Sequence, residues 1–328
     1  GISIIPQALK VYGFENVSIV APQAIPDGNF PTCVSPNPEE PSALELGLKQ
    51  AQSEDADILL ATDPDADREA IAVKKKNGEW VLLNGNQTAT LFCYYLLKRW
   101  SEEGKLNGKQ YIIKTIVTTE MITKVAEKFN VDCFDTLTGF KHIAAKIREL
   151  EGKKEFIGGG EESFGFLIGD FVRDKDAVSG CCILAEMAAY AASNGETLYD
   201  MLLNLYTEFG FYQEKQVSVV KKGKSGAEEI AKMMNDFRNA PPQTIDGVAV
   251  TQIIDYLKPE ITGLPKSNVL QYFLSDGSKV SVRPSGTEPK IKFYFSICSQ
   301  MENVDLIEQR QEEALKKIDR IKQELGLN

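Results

Sequence analysis

Histidine is almost absent: the 328 residues contain one, His142, beside Lys141 in the helical-looking stretch KHIAAKIREL. A surface or half-buried place suits it better than catalysis. No Ser-His-Asp or Cys-His set can be assembled convincingly, so a nucleophile activated by imidazole is set aside. The six cysteines (Cys33, Cys93, Cys133, Cys181, Cys182 and Cys298) form no CxxC pair or other metal-ligand spacing. They are scattered through apolar stretches as buried free thiols would be, which suits a reducing compartment and a cytoplasmic protein. No apolar run approaches the roughly 20 residues needed to span a bilayer, so no membrane partner is expected. The opening GISIIPQALK lacks the charged-apolar-small order of a signal peptide. It reads as a helix already under way, as though the chain were a fragment. A net charge of −10 argues against a general nucleic-acid binder. An anionic small substrate stays open, because a few local Arg and Lys can dominate one cleft.

With 328 residues and 43% hydrophobic content, two or three domains with real cores are expected. The first hundred residues alternate in the βα manner: a helix over residues 4–12, a strand NVSIV at 16–20, and a long Pro- and Asn-rich loop. Ser42 then caps a helix over residues 43–53, and ADILLA at 56–61 is a buried strand. The Asn77-Gly78 pair predicts a hairpin, and a helix follows over 87–100. From residue 109 the βα alternation resumes, through the strand EFIGGG and two helices over 178–193 and 198–208. The last hundred residues change character. A strand at 212–221, a helix at 226–238 and a turn-rich link precede the strands VLQYFL, KVSVRP and IKFYFSIC, and a long polar-faced helix over 303–325 closes the chain. The predicted domains are 1–108, 109–210 and 211–328: two α/β units and a small α+β unit.

Three loops carry chemistry. In ILLATDPDADRE, Asp63, Asp65 and Asp67 follow a strand directly, with Arg68 behind them. Carboxylates packed this closely repel, and a hard divalent cation removes that cost; all-oxygen ligands suit Mg²⁺ or Ca²⁺. An EF-hand fails, since its Gly and Glu positions hold Arg68 and Lys74. A phosphatase of the haloacid-dehalogenase kind, with Asp63 as nucleophile, is an alternative; a solvated acidic turn is another. Arg68 beside the acids points to a phosphate. In GGGEESFGF (158–166), the glycines allow a sharp turn and close approach to a ligand, and Glu161 with Ser163 suits sugar hydroxyls. In VRPSGTEPK (282–290), Arg283, Ser285, Gly286 and Thr287 make a phosphate cradle of guanidinium, hydroxyls and a backbone nest. A Gly-rich turn and a Pro-Gly hairpin are the plainer readings of these two loops.

Together, and in this order, DPDADR, GEESFG and RPSGTEPK resemble the metal, sugar-recognition and phosphate-binding loops of the α-D-phosphohexomutase family; TLTGFKHI and VRDKDAV also resemble family segments. The GEESFG form is the one usual for phosphoglucomutases. The resemblance covers essentially the whole chain and implies the family's second, third and fourth domains. These are two α/β domains with mixed sheets and a small α+β domain resembling the TATA-box-binding protein. It also implies a first domain, carrying a phosphoserine in a T-A-S-H-N-P-like loop that has no counterpart here. That missing N-terminal domain is an expected partner, and the fragment alone is expected to be inactive. The implied activity interconverts hexose 1- and 6-phosphates, glucose preferred, with glucose 1,6-bisphosphate as intermediate and activator. By resemblance Asp63, Asp65 and Asp67 hold Mg²⁺, and Arg68 neutralises the transferred group. Glu161 and Ser163 hold the sugar, and Arg283, Ser285, Gly286 and Thr287 hold the other phosphate. Thr138, Gly139, Lys141 and Lys175 are further substrate contacts. Pro64 and Ala66 stand where the family usually has glycine. A non-catalytic magnesium or sugar-phosphate binding module remains the third alternative.

Overall fold

A computed structural model of the chain describes residues 1–221, 223–286 and 288–327. The chain forms two compact units, Gly1–Leu203 and Asn204–Asn328. Among the described residues no helix is long and apolar enough to cross a membrane.

The first unit begins with α1 (Ile5–Val11), a 3₁₀ turn at Ala21–Gln23 and α2 (Pro41–Ser53). Three strands follow, β1 (Ile58–Thr62), β2 (Glu69–Lys74) and β3 (Trp80–Leu82), then α3 (Gly85–Glu102) and β4 (Gln110–Thr115). Next come α4 (Met121–Lys128), β5 (Asp132–Thr136), α5 (Phe140–Leu150), β6 (Glu155–Gly160), β7 (Phe166–Ile168) and α6 (Ala177–Ser193). Helix α7 (Leu198–Phe209) runs across the boundary between the units.

The strands make two sheets. β1-β2-β3 is an antiparallel meander, with Thr62 opposite Glu69 at the β1–β2 end. The other has the order β5-β4-β6-β7, parallel except for β7. One core joins α5 to this mixed sheet through Tyr111, Ile113, Phe140, Ile143, Ile147, Phe156 and Leu167. Another packs α1 and α6 on β1 through Ile5, Leu9, Cys181, Cys182 and Ala185, with Ile58 and Leu60 against them. Helix α3 starts where a capping box demands it: Asn84 accepts from the Gln87 N–H, and the Gln87 side chain accepts from the Asn84 N–H, both at 2.9 Å.

The second unit runs β8 (Phe211–Val220), α8 (Gly223–Asn239), β9 (Thr244–Ile245), β10 (Val248–Asp255), α9 (Pro259–Thr262), β11 (Leu270–Leu274), β12 (Lys279–Pro284), β13 (Lys290–Ser299) and α10 (Ile307–Glu324). Its six strands form one antiparallel sheet in the order β8-β13-β12-β11-β10-β9. Helix α8 packs on β12 and β13, and α10 on β13 and the edge strand β8. That is the covered antiparallel sheet which the resemblance implies for the C-terminal region.

Several local expectations are corrected. Residues 16–20 form no strand: among the described residues none pairs with them in a sheet, and the Ile19 carbonyl instead accepts from the Gln50 amide at 3.2 Å. Helix α2 starts at Pro41 with Glu40 at its N-cap rather than at Ser42, because the fixed φ of proline suits the first helical position. The strand before the aspartates is half-buried, not buried, and its sheet is antiparallel rather than of the βα kind. The link at 239–248 contains a β9–β10 hairpin turning on Asp246 (φ 49°) and Gly247 (φ 72°).

Candidate active site

The three aspartates lie in the hairpin connection between β1 and β2. The Asp63 Oδ1 accepts from the N–H of Asp67 (3.1 Å) and of Arg68 (3.0 Å), which curls the loop around that carboxylate. Ala66 sits at φ 58°, the left-handed region that glycine enters freely, at a strain cost of about 1–3 kcal/mol for a residue with a Cβ. The loop thus has a shape suited to glycine although alanine occupies the position. As a result Asp63, Asp65 and Asp67 each offer an oxygen within 4.8 Å of the others. Burial first, then repulsion from Asp67 and Asp65, push the Asp63 carboxyl up to about 6, while the Arg68 N–H pulls the other way. A half-buried acid destabilised by two acidic neighbours, in an all-oxygen set, fits a hard divalent cation such as Mg²⁺.

Two cations edge the loop. Arg68 pairs with Glu39 at 2.9 Å and lies 3.8 Å from Asp63 and 4.0 Å from Asp67. Lys175 binds Asp67 at 2.7 Å and Asp174 at 3.2 Å, with its ammonium 5.5 Å from the centre of the Phe140 ring. Lys175, expected at the substrate, is here a partner of the acidic loop. Glu39 was not singled out in sequence; it comes from the NPEEPS part of the long loop, where only the loop's length hinted at a task.

The second loop joins β6 to β7 and is closed by a Glu161 N–H to Gly165 carbonyl bond of 2.8 Å. Its glycines do something other than expected. Gly158, Gly159 and Gly160 lie within β6, and a Cβ on Gly159 would stand 2.4 Å from the Ile113 carbonyl oxygen of the neighbouring strand. They permit close packing inside the protein, not an approach to a ligand. The Glu161 carboxylate accepts from the Gly139 N–H at 2.7 Å, and Gly139 stands at φ 107°. This ties the TLTG segment, with Thr138 beside it, to the sugar-type loop. Ser163 is half-buried, and Lys141 is exposed on the first turn of α5. Glu162, also not singled out in sequence, accepts from Thr115 at 3.2 Å and Thr118 at 3.3 Å.

The first two loops meet directly. The Glu69 N–H, one residue past Arg68, donates to the Phe164 carbonyl at 3.0 Å, and the Ala177 N–H at the start of α6 donates to the Ala66 carbonyl at 3.2 Å. A Cβ on Gly165 would stand 2.2 Å from Cδ of Lys175, so the stem of that lysine crosses the second loop on its way to Asp67. Glu69 itself is buried with Oε2 unpaired; desolvation, then Asp176, raises its carboxyl well above the ordinary range.

The third loop, in the second unit, is the β12–β13 hairpin connection. Ser285 N–H donates to the Lys290 carbonyl (2.7 Å), and Ser285 Oγ accepts from the Glu288 N–H (3.3 Å). Gly286 is exposed, with open space where a Cβ would be. Arg283 stands directly opposite Lys292 in the ladder. Like charges so placed repel unless an anion joins them, and sequence reading overlooked Lys292 because the partner strand was needed to see it. Thr287, the remaining cradle candidate, lies outside the described residues.

Comparison with known proteins finds three successive domain descriptions, the first ending near residue 78. Descriptions of phosphoglucomutase/phosphomannomutase domains match in order: alpha/beta/alpha domain II at residues 1–78, alpha/beta/alpha domain III at 84–209 and the C-terminal domain at 214–314. A phosphoglucomutase of Staphylococcus haemolyticus is 37% identical over 319 residues, which cover 94% of this chain and 56% of that protein. A phosphoglucomutase of Staphylococcus aureus is 37% identical over 314 residues, covering 92% and 56%. The chain spans about half the length of the curated relatives it matches. Among solved structures, a phosphoglucomutase/phosphomannomutase family protein of Burkholderia thailandensis aligns with a TM-score of 0.64 at 19% identity, over 97% of this chain and 57% of that one. The open form of the Paramecium phosphoglucomutase pp63/parafusin aligns with a TM-score of 0.56 at 20% identity, over 81% and 46%. At such identity these two show the fold alone. On the domain matches taken with the identity to its relatives, the chain belongs to the phosphoglucomutase/phosphomannomutase family of α-D-phosphohexomutases.

Proposed function

We propose that this chain is the metal-, sugar- and phosphate-binding part of a phosphosugar mutase that interconverts hexose 1-phosphate and hexose 6-phosphate, with glucose preferred. The observation that carries the proposal is the direct bond between the acidic loop and the GEESFG loop within one compact unit. It brings a cation-type site beside a sugar-type site. The preference for glucose rests on the GEESFG form of that loop and on the phosphoglucomutases among its relatives.

In this reading Asp63, Asp65 and Asp67 hold Mg²⁺. When bound, the ion supplies Lewis acidity to the phosphoryl group being transferred. Arg68 lies along the same carboxylates and neutralises charge on that group. Lys175, anchored to Asp67, adds a second positive charge at the same edge. Glu161 accepts from sugar hydroxyls and Ser163 donates to them, while Thr138, Gly139 and Lys141 border that contact. Arg283, Ser285, Gly286 and Thr287 grip the phosphate that does not react. Binding energy spent at such contacts goes into orienting the bound group. The phosphoryl donor of the cycle is a phosphoserine, and residues 1–328 contain no loop of the T-A-S-H-N-P kind. The donor therefore belongs to a further domain that would act with this chain, and the chain alone does not turn over. Glucose 1,6-bisphosphate is the intermediate, which reorients between the two transfers.

A coupled assay tests this reading. Residues 1–328 bind glucose 1-phosphate without converting it. A longer protein in which a phosphoserine loop accompanies them converts it with Mg²⁺, uses mannose 1-phosphate less well, and loses conversion on Asp65→Ala. Faster use of mannose 1-phosphate overturns the substrate assignment; absence of conversion in the longer protein overturns the activity.

A further inference from the structure

Glu161 and Glu162 are consecutive acids with separate partners. Glu161 reaches the Gly139 N–H, whereas the carboxylate of Glu162 reaches the Thr115 and Thr118 hydroxyls, themselves 2.8 Å apart and both fully buried. Glu162 is half-buried as a residue, with its carboxyl end enclosed. Burial, then the charge of Glu161, push that carboxyl up, and the two threonine hydroxyls work against the rise. An acid costs more to enclose here than an amide or an alkyl group of similar size. Its neighbourhood is built to receive it nonetheless. The Glu162 carbonyl oxygen lies so close to the start of α3 that a Cβ on Gly85 would stand 2.0 Å from it. Next to Gly85, Asn86 accepts from the Thr119 N–H at 2.9 Å, which fixes the Thr115–Thr119 segment to the same helix end. Phe164, two residues on, is held at φ 65°, a conformation an aromatic residue leaves unless its surroundings enforce it.

We propose that Glu162 is a positioning residue: tied to Thr115 and Thr118 and seated on Gly85, it fixes the 161–164 turn so that Glu161 and Ser163 meet the sugar in one orientation. The inference rests on the sugar-binding reading given above. Glu162 touches no substrate. It restrains the loop through partners other than those of Glu161, so its loss frees the turn while leaving the acidic loop and the phosphate loop of the second unit intact.

The test uses residues 1–328 with glucose 1-phosphate, inorganic phosphate and Mg²⁺ as separate probes, and reads amide exchange at residues 161–164. Glu162→Ala is expected to raise exchange at those amides and to weaken glucose 1-phosphate binding, each by about tenfold, as the loss of a pair of buried hydrogen bonds would. Inorganic phosphate and Mg²⁺ affinities stay within about twofold, well under the 1.4 kcal/mol of a tenfold change. Glu162→Gln, which keeps an acceptor for the threonines, is expected to restore both readouts. Gly85→Ala presses on the same turn without touching the carboxylate and should reproduce the selective loss. Unchanged exchange at 161–164 overturns the proposal. So does an equal weakening of all three probes, or failure of Gln to rescue. If the unaltered chain binds inorganic phosphate and Mg²⁺ but not glucose 1-phosphate, the sugar-binding reading falls and the proposal with it, whatever the exchange data show about the turn.

Discussion

Asp63 is the residue on which the acidic loop turns. Its carboxyl, raised to about 6 by burial and by Asp67 and Asp65, keeps a proton in the folded chain that the unfolded chain gives up near pH 4. Between those values the group's contribution to stability falls as pH rises, and at neutral pH it is unfavourable unless a cation compensates. Mg²⁺ needs the ionised form, so its affinity rises with pH through about 6 and drops by about tenfold per unit below it. Calorimetric titration at pH 5 and 7.5 should show this, together with proton release at the lower pH; an affinity independent of pH contradicts it. Asp65 is exposed and its removal relieves repulsion. Asp65→Ala should therefore leave the metal-free chain within about 0.5 kcal/mol of its original stability while removing the stabilisation by Mg²⁺. Denaturant melts with and without the ion decide it.

At the scale of elements, the glycines of β6 separate what sequence conveys from what it conceals. Three consecutive glycines read as a turn, whether plain or hugging a ligand; only the neighbouring strand β4 shows them packed tightly within a strand. Gly159→Ala should push its Cβ into the Ile113 carbonyl and cost about 1–3 kcal/mol, seen as a lower urea midpoint; an unchanged midpoint would mean the strands part freely. The motif-bearing loops were legible because each combines unusual residue types in few positions: three acids and an arginine, or an arginine with Ser-Gly-Thr. Their partners were not, because a partner is set by the fold. Thr115 and Thr118 read as part of the βα alternation that resumes at residue 109, Glu39 as part of a Pro-rich loop, and Lys292 as one of many lysines. The strand expected at residues 16–20 had apolar alternation but, among the described residues, no strand to pair with. The β9–β10 hairpin had its Asp-Gly signal in plain view, but lay in a stretch whose prolines drew the reading toward a link.

Taken whole, the molecule divides its tasks between two units: acidic and sugar-type loops in residues 1–203, phosphate-type loop in residues 204–328. Ligands should respect that division. Saturating Mg²⁺, at about 100 times its dissociation constant, stabilises the state it binds by about 2.7 kcal/mol. The resulting protection from hydrogen exchange should fall on the amides around residues 63–69. Inorganic phosphate should protect the amides at 283–290 instead, and Arg283→Ala should abolish only the second effect. Protection of both regions by either ligand alone would contradict a separate anion site in the β12–β13 connection. The family's order of domains was legible in the sequence because three motifs fell at domain-scale spacing. The grouping into two compact units was not, because the Glu69–Phe164 and Ala177–Ala66 bonds join residues far apart along the chain.

The account depends most on one cation among three carboxylates. Paramagnetic resonance of Mn²⁺, titrated into residues 1–328 at pH 7.5, measures this directly, since bound and free Mn²⁺ differ in signal. The account predicts one saturable Mn²⁺ per chain, displaced by Mg²⁺, and none in a chain carrying Asp63→Asn and Asp65→Asn. Absence of saturable binding, or binding that persists unchanged in the double variant, would contradict it.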